Sequence, residues 1–123
     1  CGGGAFMRDS KGKRHVIPEA VEYWNYLSKS YWIIDAQMLK DMASATGRDT
    51  ERYDAMIKRA TDLIMKEHLN ADGTFKLQIL NTMQTPALFA LKNKLVDGEA
   101  KENMIARLRQ NFADHGNCLQ KNL

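Results

Sequence analysis

The amino-acid sequence predicts an all-α fold built from antiparallel αα-hairpins, with about four helices in a layered array. Three observations support this prediction. Apolar residues recur at spacings of three and four over four stretches, turn-forming residues separate these stretches, and broadly apolar stretches alternate with two-sided ones. Hairpins in series stack on one another, and the apolar faces of such an array need neighbours to cover them.

The first helical stretch is predicted to run from about Pro18 to Thr46. Proline at the first helical position and Glu19 in the first turn favour a helix start, and Gly47 suits the position after a helix end. Ser28–Ser30 leave open a break into two helices. The apolar side chains are Tyr23, Trp24, Tyr26, Leu27, Tyr31, Trp32, Ile33, Ile34, Met38, Leu39, Met42 and Ala45. A helix this apolar around its circumference is normally buried on several sides.

The second helix is predicted to begin near Asp49, a residue type preferred at helix N-caps, and to bury one face only. That face consists of Tyr53, Met56, Ile57, Ala60, Leu63 and Ile64. Residues Asn70–Asn81 then interrupt the helical pattern. They combine a turn signal with a weak alternation of apolar residues, which favours a short strand or extended arm.

A third helix is predicted to start within residues 82–86, with Thr85 as its cap, and its run 87–91 is uniformly apolar. The fourth follows Asp97 and ends at Gly116. Its buried stripe consists of Met104, Ile105, Leu108 and Phe112. Buried and two-sided helices therefore alternate, which predicts an inner and an outer row. Two inner helices this apolar need cover beyond one pair of hairpins.

Residues 1–17 are predicted to form a flexible leader, and residues 18–123 the helical-hairpin segment of a larger domain. The leader is rich in glycine, then basic, with few apolar residues. Cys1–Gly4 has two interpretations: a cloning scar, which we favour, or the lipid-bearing start of a mature bacterial lipoprotein. The chain lacks an initiator methionine, so we expect a processed or excised piece of a longer protein.

Composition argues against several functional classes. A net charge of +3 over 123 residues is too small to predict nucleic-acid binding. A phosphate or nucleic-acid site at Lys11, Lys13 and Arg14 is a third hypothesis, but a solvated loop explains this cluster as well. No apolar run approaches the roughly 20 residues that span a bilayer. Cys1 and Cys118 form neither a disulfide framework nor a zinc site. We predict no nucleic-acid partner, membrane span, metal or cofactor.

Five segments, taken in order, carry a family resemblance. They are Tyr31–Leu39 with Met42–Arg48, Tyr53 with Ile57–Ala60, Met83–Leu91, Leu95–Glu99, and Gly116–Gln120. Over about residues 19–120 the chain resembles the catalytic domain of bacterial α-L-rhamnosidases. The resemblance implies an inverting glycoside hydrolase with an (α/α)6 toroid, of which this chain forms about a third. The predicted fold is then a partial (α/α) toroid-like array.

The resemblance carries no catalytic residue into this chain. Inverting hydrolysis needs a carboxylic acid and a second carboxylate on opposite faces of the sugar, and the resemblance places the acid upstream and the base downstream. Arg8–Ser10 echo that upstream motif with Ser10 in place of the acid, which we interpret as a coincidence. The acidic residues of the first helix lie on one element, so they cannot face each other across a sugar. Lys29 and Pro86 depart from the family pattern, as does the chain after Gln120. We expect the isolated chain to be inactive.

Three residues are predicted to contact substrate. In the resembled family the starts of inner helices face the sugar, which singles out Gln84 and Thr85. Trp32 is the third candidate, because an aromatic face can stack on a sugar ring. The structural alternatives are a helix cap for Thr85 and a core position for Trp32.

Two functional hypotheses follow. The first is a fragment of an α-L-rhamnosidase-like enzyme that removes terminal rhamnose from glycans, completed by the remainder of its catalytic domain or by a second copy. A bacterial periplasmic or secreted parent protein is favoured. The second is a non-catalytic helical interaction module whose apolar faces are covered by a partner or by self-association.

Overall fold

The computed structural model describes residues 6–119, leaving aside the Phe6 side chain. A hairpin of β1 (Phe6–Arg8) and β2 (Arg14–Val16) precedes four helices. The helices are α1 (Pro18–Ala45), α2 (Glu51–Glu67), α3 (Gln84–Lys92) and α4 (Gly98–Asp114), and a 3₁₀ turn at Gln78–Thr82 precedes α3. The all-α prediction of about four helices is confirmed. The predictions for Cys1–Gly4 and for the chain from Gln120 onward lie outside the described residues.

The segment predicted to be a flexible leader contains the β hairpin, which sequence analysis did not predict. Met7 pairs with His15 across the two antiparallel strands. The Asp9 carboxylate organises the turn: its Oδ1 accepts the backbone N–H groups of Lys11 and Lys13 at 2.9 Å each, and its Oδ2 lies 2.8 Å from His15 Nε2. Strands of three residues are too short to show the alternation that predicts a strand.

α1 is one continuous helix of 28 residues, so the break considered at Ser28–Ser30 does not occur. Both serines bond back to their own helix. The Ser28 hydroxyl donates to the Trp24 carbonyl at 2.8 Å, and the Ser30 hydroxyl donates to the Tyr26 carbonyl at 3.0 Å. Serines that donate to the carbonyl four residues earlier are compatible with a helix interior.

The hydrophobic core lies where the four helices and the loop before α3 meet. It consists of Tyr26, Leu27, Ile33, Ala60, Ile64, Leu69, Phe75, Leu80, Ala87, Ala90, Leu95, Val96 and Met104. Tyr26 is fully buried, and its hydroxyl donates to the Pro86 carbonyl at 2.7 Å. Its ring makes edge contacts with Phe75 and His68, at centroid distances of 5.2 and 5.6 Å. One side chain thus joins α1 to the start of α3 and to the loop.

The extended arm predicted over Asn70–Asn81 is largely wrong. Leu69 and Phe75 form an isolated antiparallel bridge, and the 3₁₀ turn follows. The Asn81 side chain closes the loop: its Oδ1 accepts the Phe75 N–H at 2.8 Å, and its Nδ2 donates to the Phe75 carbonyl at 3.0 Å. Leu80 of this segment is buried, and Ile79 is exposed.

Within residues 6–119, the expectation that α1 is buried on several sides is wrong. We call Trp24, Tyr31, Trp32, Met38, Leu39 and Met42 the exposed α1 face; these side chains are 43% to 64% exposed. α1 packs mainly against α2 and α3. These two helices cover one side of α1, and no further layer of residues 6–119 covers the other.

The turn before the 3₁₀ segment constrains one glycine. Gly73 has a φ of +84°, and a Cβ there would clash with the Ala100 backbone carbonyl of α4. Gly73→Ala should therefore lower the free energy of unfolding by more than about 2 kcal/mol, because it adds a clash to left-handed strain. Urea unfolding followed by circular dichroism measures the loss.

Gly47→Ala is the matched control for this prediction. Gly47 has a similar φ of +68° but nothing within 4 Å of an added Cβ, so only the strain of about 1 kcal/mol remains. Equal losses in the two variants would contradict a tight contact between this turn and α4.

Candidate functional site

The first half of α1, the start of α3, the end of α2 and the segment after α4 meet at one edge of the molecule, which we call the helix-start edge. Tyr26 connects α1 to the first turn of α3 through the Pro86 carbonyl. Gln84 of α3 contacts Cys118 beyond α4, and Lys29 of α1 contacts the end of α2. Residues far apart in sequence therefore share one surface.

Two hydroxyl groups pair at this edge. The side chain of Tyr23 hydrogen-bonds with that of Thr85, and both residues are partly buried. Burial is the main cause that raises the pKa of Tyr23, which keeps its hydroxyl protonated. The ring of Trp24 lies 5.8 Å from the Tyr23 ring and is 43% exposed. Such a pair, with an aromatic ring beside it, can hydrogen-bond and stack with a sugar.

Thr85 is not the helix cap that the sequence predicted. Met83 occupies the N-cap position with extended backbone, so α3 starts at Gln84 and Thr85 is its second residue. Pro86 is then the third. Proline is tolerated there because N–H groups in the first turn have no partner within the helix.

Gln84 is almost fully buried, with 1% of its surface exposed. Its Nε2 donates to the Cys118 carbonyl at 3.0 Å. In this arrangement the amide attaches the segment that follows α4 to the start of α3. A direct contact between Gln84 and substrate stays a prediction, as does one with Thr85.

Trp32 lies away from the other two candidates. It follows Tyr23 by nine residues on the same helix, which places it roughly 13 Å further along the axis and on about the opposite side. It is 47% exposed, so it is not a core residue of this chain either. The structure brings Thr85 and Gln84 together and leaves Trp32 apart.

The acidic residues of α1 line its surface. Glu19, Glu22, Asp35 and Asp41 are all exposed. Asp35 faces solvent although it lies within the apolar stretch of α1. Within residues 6–119, no group of three or more His, Cys, Asp or Glu side chains could hold a metal ion.

Sequence analysis missed a charged cluster at the end of α2. His68 is buried, and its Nε2 lies 3.0 Å from Lys29 Nζ, which also bonds the Glu67 carboxylate. Burial, and then the charge of Lys29, lower the pKa of His68, which favours the neutral ring, and Nε2 then accepts a hydrogen bond from the Lys29 ammonium. The hydrogen bond from Lys29 lowers the pKa of Glu67. Lys29, a departure from the family pattern, thus has two partners.

The buried histidine makes stability depend on pH. The pKa of His68 is lower in the folded chain than in the unfolded chain, so the unfolded state takes up the proton first as pH falls. The contribution of the neutral His68 to the free energy of unfolding should be fully present above about pH 6.5, the approximate pKa of histidine in the unfolded chain. It should decline as the pH falls from there towards the lower pKa of the folded chain. Urea unfolding between pH 5 and pH 7 measures this slope.

His68→Gln should flatten the slope in that window, although it costs stability overall. The carboxylates with lowered pKa values, such as Glu67, lose their contribution at lower pH and do not overlap with it. An unchanged slope in the variant would show that another group titrates there.

Residues 17–121 match the family model of the bacterial alpha-L-rhamnosidase 6 hairpin glycosidase domain. The chain belongs to this family. The match starts just before α1 and includes all four helices, and the resemblance noted in the sequence is confirmed. No curated protein and no solved structure matches the chain.

The family assignment makes this a glycosidase-domain segment, and the substrates of such domains are carbohydrates. None of the described helices is both long enough and apolar enough to cross a bilayer.

Proposed function

We propose that this chain forms two hairpins of a catalytic domain that hydrolyses terminal α-L-rhamnose from glycans, and that the chain alone is inactive. The family domain is named for six hairpins, whereas residues 6–119 contain two, α1–α2 and α3–α4. The remaining hairpins would supply the catalytic acid and base, because inverting hydrolysis needs two carboxylates facing each other across the sugar.

The exposed α1 face is the observation that carries this proposal. Trp24, Tyr31 and Met38 recur every seven residues, so they lie on one side of α1, and each is at least 43% exposed. Tyr31 packs edge-on against Phe89 of α3, with centroids 4.9 Å apart, which continues the surface onto the second hairpin. A contiguous apolar patch of this kind marks a contact surface. On this proposal the missing hairpins cover it, which makes α1 and α3 inner helices.

We assign substrate contact to the helix-start edge. The paired hydroxyls of Tyr23 and Thr85 would hydrogen-bond sugar hydroxyls, and the half-exposed ring of Trp24 would stack beside them. Gln84 would act by holding the segment after α4 in place. Trp32 lies roughly 13 Å further along α1 than Tyr23 and about opposite Tyr23 around the helix axis, so it would reach a sugar only from a different part of the exposed α1 face.

Activity measurements test the enzyme proposal. A protein that includes the flanking coding sequence should hydrolyse para-nitrophenyl α-L-rhamnopyranoside, and the 123-residue chain should not. In the larger protein, Thr85→Val should lower kcat/KM about tenfold, the loss expected for one hydrogen bond. Thr85→Ser keeps the hydroxyl and should retain most of the activity.

Two results would overturn the enzyme proposal. A larger protein that leaves the rhamnoside intact but cleaves another glycoside would refute the sugar assignment. Flanking sequence without any carboxylate-bearing helix or loop would refute the enzyme assignment.

The exposed α1 face also supports the second candidate, a non-catalytic module that self-associates. In that case the chain should form a dimer at micromolar concentration, because each copy would bury the apolar face of the other. Sedimentation velocity should then show that Met38→Lys dissociates the dimer, while Met65→Lys, on α2, does not. A wild-type chain that stays monomeric would reject this candidate.

A further inference from the structure

The β hairpin carries the whole net charge of the chain. Of the 18 lysines and arginines in the sequence, four lie in residues 7–16, together with one of the 15 aspartates and glutamates. This segment, which we call the basic hairpin, therefore has a formal charge of +3, and the remainder of the chain is formally neutral. The family match begins at residue 17, so it assigns no role to the basic hairpin.

The side chains of the basic hairpin are open to solvent. Every residue from Met7 to Val16 is exposed, and none of them belongs to the hydrophobic core. A two-stranded hairpin that buries no side chain is marginally stable at best on its own. Charge of one sign gathered on such a projecting element attracts anions, because the neutral helical part of the chain does not oppose its field.

Two arginines face each other across the strands. Arg8 and Arg14 are direct partners in the antiparallel register, so their side chains leave the same face of the hairpin. Like charges at directly opposite positions destabilise a strand pair. The Arg8 guanidinium donates to the Gly12 carbonyl at 3.3 Å, a bond that leaves its charge in place. An anion bound to both guanidinium groups would remove the repulsion between them.

The only carboxylate of the basic hairpin is engaged within the turn. Asp9 Oδ1 accepts the backbone N–H groups of Lys11 and Lys13, and Oδ2 lies 2.8 Å from His15 Nε2. The bond with His15, and then the one with the Lys13 N–H, lower the pKa of Asp9 and keep it ionised. Asp9 thus fixes the backbone from which the two lysine side chains extend. Cations held on a formed turn lose less freedom on binding than those of a disordered segment.

These observations favour a partner with repeated negative charges. Guanidinium groups bind carboxylates through paired hydrogen bonds. Four cations on one small element suit a polymer, because each further contact forms within a complex that already exists. The turn residues 9–13 include no apolar side chain that could enter a lipid layer. Residues 7–16 contain no Phe, Tyr or Trp on which nucleic-acid bases could stack.

We propose that the basic hairpin binds an acidic polysaccharide through the carboxylates of its uronic acid units. The choice of a saccharide polymer rests on the proposed function, because glycans are the polymers that a glycosidase domain meets. The charge, the exposure and the opposed arginines do not depend on that function. Binding at the hairpin would hold an acidic glycan beside the start of α1, which follows directly in the chain.

A heteronuclear NMR titration of the 123-residue chain at low ionic strength tests the proposal. The probes are a hexauronate from alginate, isomaltohexaose as the neutral saccharide of equal length, and a thymidine oligonucleotide of equal charge. The hexauronate should shift the amide resonances of residues 7–16 with a Kd on the order of 1 mM, and isomaltohexaose should not shift them. The Kd should rise about tenfold in 0.5 M salt, because exposed ion pairs are screened.

Paired substitutions separate the hairpin from the net charge. Arg8→Gln combined with Arg14→Gln should weaken hexauronate binding about three- to tenfold, because two exposed ion pairs are lost. Arg59→Gln combined with Arg109→Gln is the matched control. These two arginines are exposed on α2 and α4, and their replacement lowers the net charge equally. The control should bind as tightly as the unmodified chain.

Folding of the hairpin is checked in each variant by the cross-strand nuclear Overhauser effect between Met7 and His15, which are paired in the register. If the double arginine variant lacks this signal, Lys11→Gln combined with Lys13→Gln decides. That variant keeps both strands and both N–H groups that Asp9 accepts, and it should show a similar loss of binding.

Four results would overturn the proposal. They are no shifts with the hexauronate, equal binding of isomaltohexaose, tighter binding of the oligonucleotide, and equal weakening by the Arg59 and Arg109 control. Shifts confined to the Tyr23–Thr85 region would also reject it, because they would place the saccharide at the helix-start edge. Hydrolysis of the uncharged rhamnoside by the larger protein is a separate readout, so the failure of one proposal is distinguishable from the failure of the other.

Discussion

The hydrogen bond from the Tyr26 hydroxyl to the Pro86 carbonyl is the interaction on which the arrangement of the two hairpins depends. It is fully buried, so breaking it would leave a polar group without water or partner. The same ring packs on Phe75 and His68, and it thereby fixes the loop between α2 and α3 as well. Because Pro86 is adjacent to Thr85 and Tyr26 lies about one turn from Tyr23, the bond also constrains the distance between the Tyr23 and Thr85 hydroxyls. The same hydrogen bond therefore constrains both the packing of the core and the geometry of the candidate site.

The helices were predictable because their apolar periodicity is long and regular. α1 begins at Pro18 as expected. α2 buries Ala60 and Ile64 and α4 buries Met104, and the other residues of the expected stripes are partly buried. Elements held by single polar side chains were not predictable. Asp9 organises the β hairpin and Asn81 closes the loop before the 3₁₀ turn, yet a lone Asp or Asn leaves no periodic signal. The start of α3 was misplaced for a related reason: Thr85 and Pro86 suit a cap and a first position, but the extended backbone at Met83 allows the helix to begin earlier.

The candidate site was partly predictable. Gln84 and Thr85 were singled out by resemblance, and the structure places both at the helix-start edge. Their partners, Cys118 and Tyr23, lie tens of residues away in sequence, and only tertiary packing brings them together. Trp32 was chosen for its chemistry, but its helical phase places it on the far side of α1. The hydrogen bond from Asn111 to the Thr82 carbonyl escaped prediction because the two residues belong to separate elements, and each alone resembles an ordinary surface residue.

The unequal lengths of α1 and α3 have a further consequence. At 1.5 Å per residue, α1 with 28 residues spans about 42 Å, whereas α3 with nine residues spans about 14 Å. The distal half of α1, around Met38 and Met42, therefore extends past the end of α3 with α2 as its main neighbour. During assembly of a larger domain, this part of α1 presents exposed apolar surface to the first further helix that packs against it. We expect it to guide the order in which further elements join, with the shorter helix completing its contacts later.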